Sequence, residues 1–344
     1  MTIVKMISTL VKTAPLIHAG TGWASALKRA KYFLRGLLFA RQTRAWFAEL
    51  QTPVMSQLVR QHPYLFHKLQ RPYLHRRLRT RHRLAALQQH YSFVTNRLTP
   101  ALLAGIYAPA GMRLAKLHAG AAGNLELRLS SSQREKEGDL MIALQSTDSG
   151  AVWFTLSFSV VQSAAGEPEI FIGGLQGDKC ADKHGIVALT RGMHGMRPKA
   201  LLCFTLQQLA ACWGINHVRA VSDALHVCRH FQKKRILSAS YDAFWLECAG
   251  RLAADGLFDL PVVFVAREPA SLKANKRPMY KRRYAQLSDL AEQIKTRISL
   301  AQGARPVFHW HETLIAPEPQ PVAGLHALPQ RAVSAADKIC EFDS

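Results

Sequence analysis

The sequence predicts an α+β fold, in which a helical N-terminal extension precedes a central mixed, largely antiparallel sheet. Three observations carry that prediction. Residues 1–110 read as basic helices punctuated by prolines, residues 125–175 alternate apolar and polar side chains, and from residue 198 onward helical stretches alternate with short apolar strands. The corresponding division is a basic helical region over 1–110, an α/β domain over 111–300 and an aperiodic, Pro- and Ala-rich tail over 301–344 that reads as largely disordered.

In the N-terminal region, residues 1–83 hold sixteen Lys and Arg against one acid, Glu49, with five histidines and interleaved aromatics such as Trp23, Tyr32, Trp46 and Tyr73. Pro63 and Pro72 divide it into several short helices. Within RPYLHRRLRTRHRLAALQQHYSF, residues Leu74, Leu78, Leu84 and Leu87 recur at near-helical spacing among arginines. Two readings fit this segment: a basic amphipathic helix on an anionic membrane or nucleic acid, or a solvated helix face covering the main domain.

Beyond Pro109 the period becomes two. Residues 125–129, 139–144, 152–161 and 169–175 read as a four-strand antiparallel meander joined by turn-rich connections. Pro198 then suits the first position of a helix through Trp213, which Gly214 closes. A buried strand over 217–222, a short helix near His226, a helix over 241–249, a strand over 261–266 and a basic helix over 271–300 follow. This order resembles that of GNAT acyltransferases, a plan in which a meander feeds a central strand and the following loop and helix start bind a pyrophosphate.

The chain has a formal charge of +22, which draws it to polyanions: anionic lipid or a membrane surface, or nucleic acid, for which no recognisable binding module appears. Six cysteines without C-x-x-C spacing read as reduced thiols in a cytosolic protein and give no zinc pattern, so no metal is expected. Lys5, Lys12 and Pro15 break the first apolar run, which argues against a secretory leader. Gln207, Gln208, Asn216 and His217 interrupt the longest uncharged run, 200–218, which suits a buried helix better than a membrane span. A cytoplasmic protein, with peripheral attachment to the inner membrane as an extension of that reading, is the expectation.

Candidate chemistry concentrates between Phe171 and Trp245. Gly173, Gly174 and Gly177 of IGGLQG, with Gln176 between them, free backbone N–H groups for a phosphate of acyl-CoA or acyl carrier protein, or mark a β-bulge. Arg197 and Lys199 flank Pro198 at a helix start, where they either bind the same anion or pair with Asp178 or Asp182. His226 stands where α/β folds place ligands and suits a general base, with His184 and His194 as rivals. Ser240 fits an N-cap before Tyr241 and Asp242, while Phe244 and Trp245 suit the core. Among the remaining cations, Arg76 and Arg77, and Lys276, Arg277, Arg282 and Arg283 of KANKRPMYKRR, suit acidic headgroups or a solvated helix face.

The combination of IGGLQG, HGMRPKALL, AVSDALHV, SASYDAFW and KRPMYKRRYAQLSDL, with EKEGDLMIAL and VWFTLSFSV before them, resembles the VirK/YbjX family of bacterial proteins over roughly residues 85–300. The resemblance implies an association with virulence, tolerance of cationic antimicrobial peptides and the state of the outer-membrane lipid, without established catalytic residues. Joined to the GNAT-like order, it implies an acyltransferase in which Tyr241 protonates a departing thiolate. The alternative is a non-catalytic basic factor at the membrane surface or in envelope assembly.

Overall fold

The structure is a computed structural model that describes residues 1–178, 183–228, 240–302 and 315–317. Seven helices come first: α1 (Ile3–Ile17), α2 (Trp23–Leu38), α3 (Ala40–Glu49), α4 (Pro53–Gln61), α5 (Leu65–Lys68), α6 (Thr80–Arg97) and α7 (Pro100–Tyr107). Their starts follow from local chemistry. The Thr2 hydroxyl accepts the Lys5 N–H at the head of α1, and Thr99 accepts that of Leu102 in front of Pro100.

The predicted amphipathic spacing from Leu74 is corrected. Helix α6 begins only at Thr80; Leu74 and Leu78 precede it in a non-helical stretch where Leu74 has φ 57°. Burial decides this. Tyr73 and Leu74 are drawn into the core, and backbone bonds from Leu74 N–H to Lys136 O (2.8 Å) and Arg76 N–H to Leu225 O (3.0 Å) replace helical ones.

Five antiparallel neighbours form the meander: β1 (Met112–His118), β2 (Asn124–Ser131), β3 (Leu140–Ser146), β4 (Val152–Gln162) and β5 (Pro168–Gly177). The sequence reading missed β1, whose apolar positions do not alternate regularly because a bulge interrupts its pairing with β2. After β5 come α8 (Lys183–Gly192), α9 (Pro198–Trp213) and β6 (Val218–Ala220), which pairs parallel to β5. Gly214 closes α9 in the left-handed conformation (φ 67°) as expected.

Helix α10 (Tyr241–Glu247), β7 (Arg251–Leu252) and β8 (Phe258–Leu260) complete an eight-stranded sheet. The expected strand over 261–266 is displaced: β8 supplies the neighbour of β6, and β9 (Phe264–Ala266) leaves the sheet to pair with β10 (Ile315–Pro317), which follows α11 (Arg277–Gln302). In place of the expected helix near His226, the described residues 223–228 form turns, with a bridge from His226 to His75; residues 229–239 lie outside the described residues.

Both faces of the sheet are covered. Phe158 of β4 packs towards Trp213 of α9, whereas Ser157 and Ser159, which alternate with it, are buried beneath the N-terminal helices. A polar face of this kind usually meets water. Here it carries an internal polar network. Lys68 pairs with Asp139 at 2.5 Å, Tyr91 donates to Asp139 (2.7 Å), and the Tyr73 hydroxyl donates to the same carboxylate. No helix among the described residues is long and apolar enough to cross a membrane.

Candidate functional site

The site lies where β6 ends at Ala220 while β5 runs on to Gly177. Their parallel pairing runs only over Ile170–Ile172 and Val218–Ala220, and one further bond, from Val221 N–H to Ile172 O (2.9 Å), closes the shared stretch. Beyond it the β4–β5 register slips, so that Ser157 faces Gly174 and Phe158 faces Ile172, leaving Gly173 as the extra residue of a bulge. Among the described residues no strand pairs with the outer edge of β5 there, and the Tyr241 hydroxyl accepts the Leu175 N–H at 3.2 Å.

Side chains beyond the bulge diverge to the two faces. Towards the N-terminal helices, Gln176 donates to Glu137 Oε1 at 2.5 Å. His226 Nε2 stands 3.7 Å from the same oxygen and Cys228 Sγ 3.9 Å, while the His226 and Tyr241 rings lie 5.1 Å apart. Glu137 Oε2 is buried without a hydrogen-bond partner among the described residues. Burial raises the Glu137 carboxyl to about 7 against the opposing pull of Arg134, Gln176 and Cys228. His226 is held neutral: burial lowers it to about 4, outweighing Asp223, and its Nδ1 accepts the Cys228 N–H (3.3 Å).

On the opposite side of α10, a cavity of 530 Å3 is bounded by Phe154, Ile186, Pro198 and Phe244, with Arg197 and Lys199 among its lining residues. Asp223 fixes the start of α10 by accepting the Tyr241 N–H (2.9 Å) and the Ser240 hydroxyl (2.6 Å), and Ser240 in turn accepts the Ala243 N–H. Ser240 and Phe244 face the cavity while Tyr241 faces Glu137, so one helix borders both halves of the site.

The structure places Arg197 and Lys199 on the cavity beside α10, and Gly173, Gly174, Gln176, His226 and Tyr241 around the buried Glu137 carboxyl on the other side of that helix. A Cβ on Gly173 would overlap the Glu137 carbonyl oxygen and one on Gly174 the Glu137 carboxylate, so these glycines admit the Glu137 loop, and the space a phosphate would take is filled. Gly177 packs against the Phe154 ring. Arg197 pairs with Glu247, whereas Asp182, one of the two expected partners, lies outside the described residues. Lys199 sits 5.7 Å over the Phe244 ring, its pKa lowered by burial and by Arg197.

His184 is exposed on α8. His194 has φ 53° and offers its carbonyl to the Arg283 guanidinium, so Arg283, which also stacks on Tyr280 at 4.1 Å, is engaged within the fold. Arg76, Arg77, Lys276, Arg277 and Arg282 are exposed.

A family model described as a protein of unknown function, DUF535, matches residues 21–296. The chain belongs to the DUF535 family. An uncharacterized protein, YbjX, of Escherichia coli strain K12 is 31% identical over 284 residues, 80% of this chain and 85% of that one, in accord with the VirK/YbjX resemblance. An uncharacterized protein of Haemophilus influenzae is 26% identical over 179 residues, 52% of this chain and 59% of that protein. The DUF535 match reaches well upstream of residue 85, where the sequence resemblance was drawn, and takes in α2 to α6. The structure accounts for this, because Lys68, Tyr73 and Leu74 are bonded directly to the loop that carries Glu137.

Glu137 is the residue that sequence reasoning missed. It lies in a charged, turn-like stretch, SSSQREKEGD, that reads as a solvent loop. The nearest sequence signal was the glycine pair, whose missing side chains make room for it.

Proposed function

We propose that this DUF535 protein is a GNAT-like acyltransferase whose site is the opening between β5 and β6. The observation that supports it best is the run of β5 past the end of β6, with a largely apolar cavity carrying Arg197, Lys199 and Glu247 on one side of α10 and a carboxyl poised near neutrality on the other. In this reading Arg197 and Lys199 hold the anionic part of acyl-CoA or of the phosphopantetheine of an acyl carrier protein, and the apolar wall takes the acyl group.

An amine or hydroxyl attacks the thioester carbonyl. The C–S bond breaks as a C–N or C–O bond forms, and the proton of the nucleophile passes to the Glu137 carboxylate. Tyr241, whose pKa is raised by burial and by Glu137, stays protonated and can give its proton to the departing thiolate. His226 takes the role of a neutral neighbour that packs against Tyr241.

An acceptor in the bacterial envelope fits the virulence and peptide-tolerance associations that the family resemblance implies. The test is calorimetric titration of the full chain with CoA and with acyl carrier protein, together with thiol release from an acyl-thioester. Saturable binding that falls at least tenfold in Arg197→Ala/Lys199→Ala supports the reading; the absence of binding to either donor overturns it.

A further inference from the structure

A second cavity, of 590 Å3, opens between α2 and the α5–α6 region, remote in sequence from the β5–β6 opening. Lys28, Lys31, Arg35, Arg71 and Arg83 line it, no Asp or Glu is among its lining residues, and none of the five pairs with a carboxylate among the described residues. Like charges gathered in this way raise the local potential at a cost to the fold. Burial, and after it Lys28, Arg71 and Arg29, lowers His18, and burial, and after it Arg35, lowers Arg83. A second observation is independent of charge. Gln70, 7% exposed, lines the same cavity with both amide atoms unpartnered among the described residues.

The helix that supplies three of these cations also carries an uncovered apolar stripe. Leu27, Leu34 and Leu38 lie roughly a quarter turn around α2 from Lys28, Lys31 and Arg35. Leu34 and Leu38 are 63% and 75% exposed, and Trp23 at the head of the helix is 84% exposed. Cationic cavity and apolar stripe side by side match an anion that is itself amphiphilic.

We infer that this cavity is a binding site for the phosphate headgroup of an anionic phospholipid, with the α2 stripe resting in the interfacial layer of the bilayer. The inference is independent of the acyltransferase reading and concerns different residues. Its reach is local: the cavity, and not the positive surface at large, supplies the recognition.

Sedimentation of the full chain with phosphatidylcholine vesicles, with and without phosphatidic acid, tests this. Salt-sensitive binding should require phosphatidic acid and fall about tenfold or more in Lys28→Gln/Lys31→Gln/Arg35→Gln. Removing three charges from α11 instead, by Lys276→Gln/Arg277→Gln/Arg282→Gln, should change it less than twofold. All six side chains are exposed, so both variants retain the fold. Leu34→Gln/Leu38→Gln should weaken vesicle binding while leaving titration with soluble pyrophosphate unchanged. Equal losses in the two charge variants, equal binding to pure phosphatidylcholine, or pyrophosphate binding without vesicle binding would each overturn the inference.

Discussion

Lys68 and Asp139 form an ion pair at 2.5 Å with both side chains withdrawn from water, at 1% and 0% exposure. The pair joins the end of α5 to the entry of β3, and Tyr73, Tyr91 and Ser159 complete the coordination of the carboxylate. This network, with the Val160 N–H to His90 bond, ties the N-terminal region to the sheet, and Asp139 lies two residues from Glu137.

Removing one partner should therefore be costly. Lys68→Ala leaves a buried carboxylate uncompensated and should destabilise the fold by about 3–5 kcal/mol, whereas Lys68→Met/Asp139→Leu should cost markedly less. Urea denaturation followed by tryptophan fluorescence measures both. Equal losses would mean that the pair itself is the stabilising element.

The same carboxylate sets an acid limit. Burial pushes Asp139 up, but Lys68, His90 and Tyr73 outweigh it and hold it at about 2, against an ordinary 3.8. A depressed carboxyl contributes stability that is present above its unfolded value and disappears as pH falls through the folded one. Stability should thus drop between about pH 4 and pH 2, and the drop should be smaller in Lys68→Met/Asp139→Leu, as read by thermal denaturation at stepped pH.

Glu137 acts with the opposite sign. Its folded value of about 7 exceeds the ordinary 4.5, so the folded state holds the proton longer and loses relative stability as pH rises from about 4.5 to 7. Glu137→Gln should be more stable than the parent at pH 8, by about 3 kcal/mol, with little difference at pH 4. If Glu137 is the base, the same variant abolishes transfer, and the parent rate rises with pH through about 7.

Backbone packing at the bulge is tested by a single methyl group. Gly173→Ala drives a Cβ into the Glu137 carbonyl and should cost several kcal/mol, on the order of 3, because both partners are backbone. Gly22→Ala, where nothing lies within 4 Å, should stay within about 0.5 kcal/mol of the parent. Chemical denaturation of the two variants side by side gives the comparison.

Tyr241→Phe removes the acceptor of the Leu175 N–H on β5 beyond the end of β6. An unsatisfied buried donor costs about 1–3 kcal/mol, and the Leu175 amide should exchange faster with deuterium while amides of β3 keep their protection. Unchanged exchange at Leu175 would show that the hydroxyl does not hold this edge.

Local patterns determined much of this protein. Alternation marked β2 to β5; Pro198 and Gly214 bounded α9; Ser240 announced α10, because helix ends and pleated strands depend on a few neighbouring side chains. The glycines, Arg197, Lys199, His226 and Tyr241 all lie in one stretch of sequence, 171–245. Tertiary structure decided what those residues do. It turned Gly173 and Gly174 into a seat for Glu137, gave Arg197 the partner Glu247, buried His226 and pulled Tyr73 and Leu74 out of a helical pattern into the core. The physical reason is desolvation. A carboxylate at position 137 and a lysine at position 68 look like surface charges in sequence, and only tertiary packing takes them out of water, with Gly173, Gly174, Gln176 and His226 enclosing Glu137 and raising its carboxyl.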